Sequence, residues 1–377
     1  MERTPHVKAA FGRASTKGFG IMATAKDERY VCKTGRRVLA SLFLTAVLAI
    51  AQPGRDVLVL TSTNGSTNNV AVFKLDTSAA ALSLVTILPT GGSGGSPGPG
   101  AGAVQFSGEF GAVTNYVSNT VSQLHRVGNS IGVNGQIALA ANCVKPVSTA
   151  IAGHQLFVVG STCAESHAWP SGLLDGSVVS LTDSSAAQIA AGQTWAAVTL
   201  TSGSVLQLPL NGYGALNGTS SDIALPDSAN MVPLGEAFRG DLLGLNPAHS
   251  PDSFALINAQ KQVFPVTGPQ PAYPTNAPCW LAKGAGNIWY SGNSPGKAIS
   301  IFFSDGKGGA FYKSVPLPGA PTDITVSADG AWLAVIYTAA DGAHVAVFAI
   351  DAYGDLTLAA TSPAVGVAAF DGVAFSQ

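Results

Sequence analysis

The residues of this chain that could do chemistry are few and widely separated. Asp323, Asp371 and Lys145 each stand at the start of a short apolar segment, and Glu236 lies inside another, VPLGEAF. His249 falls in the segment PAHSPD. Carboxylates that converge from separate segments suit a hard cation such as Ca²⁺, which takes six to eight oxygen ligands. We expect Asp323 and Asp371 to hold the cation, and Glu236 or His249 to activate a water molecule beside it.

No local motif supports this chemistry by itself. The chain contains no HExxH, no GxSxG, no phosphate-binding loop and no EF-hand phrase. Taken singly, each candidate is explained as well by a turn or surface position as by a catalytic role. The hypothesis therefore depends on elements that bring the candidates together.

A phrase that recurs along the chain predicts such elements. Its clearest copy is PTDITVSADGAWLAVIYTAADGAHVAVFAIDAYGDLTL, residues 321–358. Residues 57–88 repeat it without the opening strand, and the last residues, DGVAFSQ, resemble the missing strand. A repeat of roughly 45 residues with four short strands is typical of a β-propeller. An incomplete first copy that the C-terminus completes would close the ring and remove its exposed edges.

The copies predict an all-β fold: a seven-bladed propeller of four-stranded antiparallel blades, one domain over residues 52–377. Between residues 174 and 230 the phrase degrades, so the start of blade 4 stays open, and a six-bladed ring with one enlarged blade is the alternative. The other blades are expected to begin near residues 57, 100, 143, 230, 277 and 320.

The strand order decides which residues can meet. An inner strand runs from the top face to the bottom, so its first residues, and the loop between the second and third strands, lie at the top. Asp323, Asp371, Lys145 and His249 are thus expected at the top mouth of the channel, where loops carry the ligand sites of closed rings. Trp195 and Trp280 are candidate walls for a substrate, with inter-blade core as the alternative.

Composition limits the partners of the protein. Only 11% of the residues are charged and the net charge is −2, which argues against nucleic acid because phosphate binding needs a basic surface. We expect a monomer that acts on a small molecule.

The first 51 residues are predicted to be an extension and signal peptide outside the fold. Lys33, Arg36 and Arg37 precede the apolar run VLASLFLTAVLAIA, which ends in an Ala-x-Ala site. The run is shorter than the ~20 residues that a spanning helix needs. We therefore expect cleavage and export to the periplasm or the medium, with no stable membrane insertion.

Two cysteines fit an exported protein. Cys143 and Cys163 are equidistant from Gly153, where a turn between two antiparallel strands would bring them opposite one another. Opposed strand positions lie within reach of a disulfide, and exported proteins retain such bonds. Two small buried side chains are the alternative.

The phrases PTDITVSADG and NVAVFKLD resemble the seven-bladed lactonase family related to 6-phosphogluconolactonase. The resemblance covers most of residues 57–377 and implies a hydrolase that opens a lactone ring. The family often begins an inner strand with Pro-His-Gly or Pro-Arg-His, whereas this chain has Val144-Lys-Pro146, Pro278-Cys-Trp280 and Phe370-Asp-Gly372. This departure removes the basis for a phosphorylated sugar substrate.

The expected function is therefore cation-assisted lactone hydrolysis at the top of the channel. An apolar, weakly charged chain favours an uncharged substrate such as an N-acylhomoserine lactone, which would make the protein a quorum-quenching enzyme. Lys145, Trp195 and Trp280 are the candidate substrate-binding residues. The alternatives are a non-catalytic exported propeller that binds protein or carbohydrate, and a muconate-type enzyme that forms a lactone.

Overall fold

Seven antiparallel sheets form the blades of a β-propeller. The computed structural model describes residues 55–98, 100–225, 232–248, 254–266 and 277–377, and these residues form strands and turns but no helix. No helix long and apolar enough to cross a membrane is thus present in these ranges. The predicted fold class, an all-β seven-bladed ring, is confirmed.

Each blade follows the previous one along the chain, and only blade 1 combines strands from both ends. Blade 1 contains β1 (Val57–Ser62), β2 (Asn69–Asp76), β3 (Ala81–Pro89) and β29 (Asp371–Ser376). Blades 2 and 3 contain β4 (Val104–Ser107), β5 (Phe110–Asn115), β6 (Thr120–Val127), β7 (Ser130–Ala138), β8 (Pro146–Ala152), β9 (Gln155–Gly160), β10 (Cys163–Ala168), β11 (Leu173–Leu174) and β12 (Val179–Ser180). Blades 4 and 5 contain β13 (Ala186–Ala191), β14 (Trp195–Leu200), β15 (Ser204–Pro209), β16 (Ser221–Ile223), β17 (Glu236–Arg239), β18 (Leu242–Leu245), β19 (Phe254–Ile257) and β20 (Val263–Val266). Blades 6 and 7 contain β21 (Pro278–Lys283), β22 (Ile288–Asn293), β23 (Ala298–Ser304), β24 (Gly309–Pro316), β25 (Ala320–Val326), β26 (Trp332–Ala339), β27 (Gly342–Ile350) and β28 (Leu356–Thr361).

The inner strands enclose a central channel. They contact one another in the order β29, β4, β8, β13, β17, β21, β25 and again β29, so the ring is closed. The outer edges belong to the last strand of each blade. Closure leaves no inner edge free to pair with another chain.

The C-terminal strand closes the ring as the incomplete first copy predicts. All six residues of β29 are buried, and the strand pairs with β1, with Val59 opposite Phe375. The Thr61 hydroxyl donates a hydrogen bond to the Gly372 carbonyl at 2.7 Å. The buried Arg126 guanidinium adds a hydrogen bond to the Ser376 hydroxyl at 3.2 Å. The last strand is therefore tied to blades 1 and 2.

The hydrophobic core lies between the blades rather than inside any one of them. Seven buried clusters fill the seven interfaces between neighbouring blades. Successive side chains of a strand point to opposite faces, so Leu58 and Leu60 pack with Val104 of blade 2. Val59, between them, packs with Ile336 of blade 7. The middle strands are largely apolar because both of their faces are buried, and polar residues such as Asn115 and Asn293 stand at their ends.

The boundary between blades 3 and 4 has an irregular outer edge. Two strands of two residues each, β11 and β12, both pair with β10 in place of one outer strand. Blade 4 then begins with β13 at Ala186. The ring thus has seven blades, and the six-bladed alternative is wrong.

Cys143 and Cys163 form a disulfide in the structure, with their Cα atoms 5.2 Å apart. The hairpin of β8 and β9 turns at Gly153 and His154, because Ala152 pairs with Gln155. Cys143 lies before the first residue of β8, and Cys163 is the first residue of β10, after the end of β9. The crosslink therefore holds the two ends of the hairpin just beyond its paired residues.

Candidate active site

A short segment of blade 2, Gly100–Gly102, lies across the channel, and we call it the crossing segment. The Gly100 N–H donates to Asp371 Oδ1 of blade 1, and the Gly102 N–H donates to Asp323 Oδ2 of blade 7 at 3.3 Å. On the other side, the Gly102 carbonyl accepts the Thr149 N–H of blade 3 at 2.9 Å. Ala101 is buried in the cluster between blades 6 and 7. The segment thus connects blade 2 to blades 6 and 7, which are not its neighbours, as well as to its neighbours, blades 1 and 3.

Glycine is required at both ends of the crossing segment. A Cβ atom on Gly100 would lie 2.7 Å from the Val147 carbonyl oxygen. Gly102 has a φ of +71°, which favours glycine, and a Cβ there would lie 2.9 Å from Ser148 Oγ. Only a chain without side chains at these two positions can pass so close to the inner strands.

The crossing segment divides the channel into two chambers. The upper chamber, about 280 Å³, is lined by Gly100, Ala101, Tyr116, Leu234 and Trp280 among others. Tyr116 is its only ionisable side chain among the described residues. The lower chamber, about 410 Å³, begins below Gly102 and reaches the bottom turn at Ser327 and Ala328. Glu236, Asp323 and Lys283 line the lower chamber, so these ionisable groups lie below the top mouth, where the site was expected.

Asp323 and Asp371 hold the crossing segment from blades 7 and 1. Asp323 Oδ2 also accepts the Val373 N–H at 3.0 Å, and Oδ1 accepts the N–H of Ile324 at 2.9 Å. Burial raises the pKa of Asp323 to about 7, although these N–H groups act in the opposite direction. Burial likewise raises the pKa of Asp371 to about 7, and the nearby charge of Asp323 adds to the increase. Both carboxyl groups therefore titrate near neutral pH.

These raised pKa values predict an unusual dependence of stability on pH. Because their pKa values are raised, Asp323 and Asp371 bind protons more tightly in the folded protein than in the unfolded chain. Their contribution to the stability of the folded protein is complete below the ordinary pKa of 3.8. It is lost as the pH rises through about 7. In that window each group lowers the free energy of unfolding by about 1.4 kcal/mol per pH unit. We expect the melting temperature to fall between pH 5 and pH 8, and Asp323→Asn or Asp371→Asn to flatten the curve. Parallel melting curves of wild type and variants in buffers of equal ionic strength would contradict this.

Glu236 is the most unusual group of the lower chamber. It is 1% exposed, and neither carboxyl oxygen has a hydrogen-bond partner among the described residues. The side-chain amide of Gln188 fixes its backbone, with Nε2 donating to the Glu236 carbonyl and Oε1 accepting the Glu236 N–H, each at 2.9 Å. Burial raises the pKa of Glu236 well above its usual value, and the peptide N–H of Ala190 opposes this only in part. Burial thus favours the neutral, protonated form of the carboxyl group, which suits Glu236 as a donor better than as the expected base.

The other predicted site residues do not join Glu236. Lys145 is exposed at the upper rim, where its Nζ lies 6.0 Å from the centre of the Tyr116 ring. Trp280 lines the upper chamber, and its indole N–H donates to the Pro321 carbonyl at 2.7 Å. Neither residue lines the lower chamber. His249 lies outside the described residues.

Trp195 is a core residue and not a wall of the channel. It is 2% exposed and packs edge to face against Phe238, with the ring centres 4.7 Å apart. Its indole N–H donates to the Asp241 carbonyl at 3.2 Å. Because it opens the second strand of its blade, the pleat turns its ring into the interface between blades 4 and 5. The expectation that Trp195 contacts substrate is corrected accordingly.

The donor set around Asp323 and Asp371 does not fit the expected calcium ion. Ca²⁺ requires six to eight oxygen ligands, whereas these carboxylates are met by four backbone N–H groups. Among the described residues, the single group of three candidate metal ligands close together is Cys143, Cys163 and Glu165, and its cysteines form the disulfide. We therefore assign no role to a metal ion in the chemistry of this site.

A fourth buried carboxyl group, that of Glu165, has a structural role. Its Oε1 lies 2.8 Å from His167 Nε2, and its Oε2 accepts the Ala140 N–H at 3.0 Å. His167 Nδ1 lies 3.0 Å from the Gly172 carbonyl oxygen. Both side chains are buried on β10, the third strand of blade 3, away from the channel. This pair connects the irregular edge of blade 3 to its neighbouring loops.

Two residues of the lower chamber were not predicted from the sequence. Gln188 is uncharged and carries no motif, so nothing distinguished it from other polar residues of blade 4. Lys283 ends the inner strand β21 and is the only cationic side chain that lines the chamber among the described residues. Because Lys283 ends an inner strand, its place at the bottom mouth of the channel is predictable, but no site was expected there.

Comparison with known structures finds β-propellers of similar fold. The structure is similar to the periplasmic gluconolactonase PpgL of Pseudomonas aeruginosa, with a TM-score of 0.62 and 14% identity, covering 86% of this chain and 99% of that one. It is also similar to a candidate 6-phosphogluconolactonase from Bacteroides uniformis (TM-score 0.61, 14% identity, 85% and 99% covered). A third similar structure is virginiamycin B lyase from Staphylococcus aureus (TM-score 0.55, 14% identity, 82% and 89% covered). No family model and no curated protein sequence matches the chain. The resemblance read from the repeat phrases is thus confirmed at the level of the fold.

Proposed function

We propose that the protein hydrolyses a lactone ring in the lower chamber of its channel. The observation that carries the proposal is one cavity lined by two buried carboxyl groups, Glu236 and Asp323. Backbone N–H groups bond to both oxygens of Asp323, whereas neither oxygen of Glu236 has a hydrogen-bond partner among the described residues. The ionised form is therefore favoured more at Asp323 than at Glu236, which suits a base and an acid. Hydrolysis of an ester bond needs both.

In the proposed reaction, Asp323 is the base and Glu236 the acid. The ionised Asp323 carboxylate accepts a proton from water, whose oxygen attacks the lactone carbonyl carbon. The neutral Glu236 carboxyl donates a hydrogen bond to the carbonyl oxygen as negative charge develops there. The bond from the carbonyl carbon to the ring oxygen then breaks, and that oxygen takes the proton held by Asp323. The product is a hydroxy acid, which releases its own proton to solvent.

The lining of the lower chamber favours a hydroxylated lactone. Amide and hydroxyl side chains surround it, namely those of Gln105, Thr149, Gln188, Thr325 and Ser327. Such groups bind sugar hydroxyls by hydrogen bonds, and sites built to bind hydroxyls discriminate strongly for them. Neither Trp195 nor Trp280 lines this chamber, which weakens the argument for an N-acylhomoserine lactone. We therefore propose a sugar lactone as the substrate, and the gluconolactonase name of one structural neighbour agrees with this.

The test is the release of acid at constant pH from a panel of lactones. We expect turnover of glucono-1,5-lactone, slower turnover of N-acylhomoserine lactones, and the same rates with and without EDTA. Loss of activity in EDTA that Ca²⁺ restores would overturn the metal-free mechanism. No turnover of any lactone by folded protein would overturn the proposed function and favour the binding propeller. Formation rather than opening of a lactone from a muconate-type acid would favour the third alternative.

Export belongs to the same proposal. The predicted signal peptide lies outside the described residues, but the Cys143–Cys163 disulfide supports an oxidising compartment. A periplasmic or secreted sugar lactonase would act on lactones formed outside the cytoplasm.

A further inference from the structure

A second cavity opens beside the lower chamber on the bottom face, and we call it the bottom groove. It has a volume of about 500 Å³ and lies between the bottom turns of blades 3, 4 and 5. The groove shares Ala191, Phe238 and Lys283 with the lower chamber. A ligand in one cavity can therefore extend directly into the other.

Gln155 gives the bottom groove an unused hydrogen-bond acceptor. The side chain is 4% exposed, and its Nε2 donates to Asp175 Oδ2 at 2.7 Å. Its Oε1 is buried and has no partner among the described residues. A buried acceptor left unpaired costs about 1–3 kcal/mol, so a ligand that brings a hydroxyl donor would remove this cost. His154, Gln193 and Lys283 add further polar groups to the same groove.

Tyr213 supplies an aromatic surface at the rim. Its side chain is 89% exposed, which is rare for an aromatic ring. The turn that carries it is rigid, because Asn211 Oδ1 accepts the N–H groups of Tyr213 at 2.9 Å and Ala215 at 3.2 Å. An ordered, exposed tyrosine beside polar side chains suits a sugar ring, whose C–H face packs on the aromatic ring while its hydroxyls bond to neighbours.

The spacing between the two cavities matches one sugar residue. Glu236 and Phe238 lie two positions apart on β17, and two residues of a strand span about 6–7 Å. Glu236 lines only the lower chamber, whereas Phe238 lines both cavities. A lactone ring near Glu236 therefore places a second ring, linked to it, at the entrance of the bottom groove.

We propose that the bottom groove is a sugar subsite, and that the preferred substrate is a disaccharide lactone with its non-reducing sugar in this groove. The inference rests on the proposed function, because the lactone ring occupies the lower chamber. Such a lactone arises when the reducing end of a disaccharide is oxidised at C1. The protein would then act directly after an oxidation of a disaccharide at C1.

Tyr213 offers a test with an internal control. The turn Asn211-Gly-Tyr-Gly-Ala215 of blade 4 matches Asp351-Ala-Tyr-Gly-Asp355 of blade 7, where Tyr353 is 78% exposed. Tyr353 lines neither the lower chamber nor the bottom groove. Tyr213→Ala and Tyr353→Ala thus remove equivalent exposed rings, only one of which faces the proposed subsite.

The measurement compares cellobiono-1,5-lactone with glucono-1,5-lactone. We expect wild type to favour the disaccharide lactone in kcat/KM, and Tyr213→Ala to raise its KM about tenfold with kcat unchanged, because the contact between the aromatic ring and the second sugar is lost. Tyr213→Ala should leave glucono-1,5-lactone unaffected, and Tyr353→Ala should leave both unaffected. Equal kcat/KM for the two lactones, or preference for a long-chain acyl lactone that depends on Tyr213, would overturn the inference.

Calorimetric titration with cellobionate and gluconate separates this inference from the proposed function. Tighter binding of cellobionate, weakened by Tyr213→Ala, supports the sugar subsite even if neither lactone is turned over, an outcome that overturns only the hydrolase proposal. Equal or undetectable binding of both acids overturns the subsite, whatever the lactonase activity.

Discussion

Replacing Glu236 with leucine should abolish lactone hydrolysis and at the same time make the protein more stable. The carboxyl group is buried without a hydrogen-bond partner among the described residues, and leaving such a group unsatisfied costs about 1–3 kcal/mol. Leucine is of similar size and removes that cost. It also removes the group that stabilises the developing oxyanion, which lowers the rate on the order of 10²-fold or more. Opposite effects on activity and stability are typical of a site held in a strained environment.

Glu236→Gln and Glu109→Gln refine this test. Glutamine at position 236 keeps a hydrogen-bond donor, but an amide N–H is a weaker donor than a carboxylic acid O–H, so we expect a rate between those of wild type and the leucine variant. Glu109 is half exposed and paired with Arg55, and its substitution should change neither rate nor stability appreciably. Acid release at constant pH and thermal melting give both readouts. A leucine variant that is active, or that is less stable than wild type, would contradict the role given to Glu236.

Removing residues 370–377 should prevent the protein from folding. The deletion takes away β29, whose six residues are all buried, and with it the partner of β1. Full burial of a Val or Phe side chain contributes roughly 1.5–3 kcal/mol, and a domain is stable by only about 5–15 kcal/mol in total. The truncation also leaves β1 as an unpaired inner edge that invites aggregation.

We expect the truncated chain to be insoluble or to lack a cooperative melting transition. Deletion of Gln377 alone is the matched control, because β29 ends at Ser376. Adding a synthetic peptide of residues 370–377 during refolding should restore some soluble protein. A soluble truncated protein that melts cooperatively near the wild-type temperature would show that closure is not essential.

The repeat made most of the fold predictable from the sequence. Strands buried on both faces are largely apolar, and the turns between them contain glycine and aspartate at fixed places, so six of the blades stand out. The outer strand of blade 3 could not be recognised in the sequence, because β11 and β12 are only two residues long. Strands so short carry no periodicity.

The candidate site was predicted in part. Glu236, Asp323 and Asp371 were found because they are carboxylates on inner strands, where charges are costly. Asp323 was expected at the top mouth but lines the lower chamber, because the stretch around Gly100 reads as a loop and no local pattern predicts that it crosses to blade 7. Whether a Trp side chain faces the channel depends on which strand of the blade carries it. Trp195 lies on the second strand of blade 4 and packs between blades, so it does not form the expected wall of the substrate site. In the sequence Tyr213 is only a tyrosine in a turn, and the structure is needed to show that it lines the bottom groove.

The crossing segment closes the lower chamber towards the top of the channel, so the proposed substrate enters, and the proposed product leaves, on the bottom face. In the proposed reaction the product is an anionic hydroxy acid, and the cationic Lys283 lines its way out. We therefore expect slow product release: accumulated hydroxy acid should compete with fresh substrate, and the rate should fall where the acid is neither consumed nor diluted.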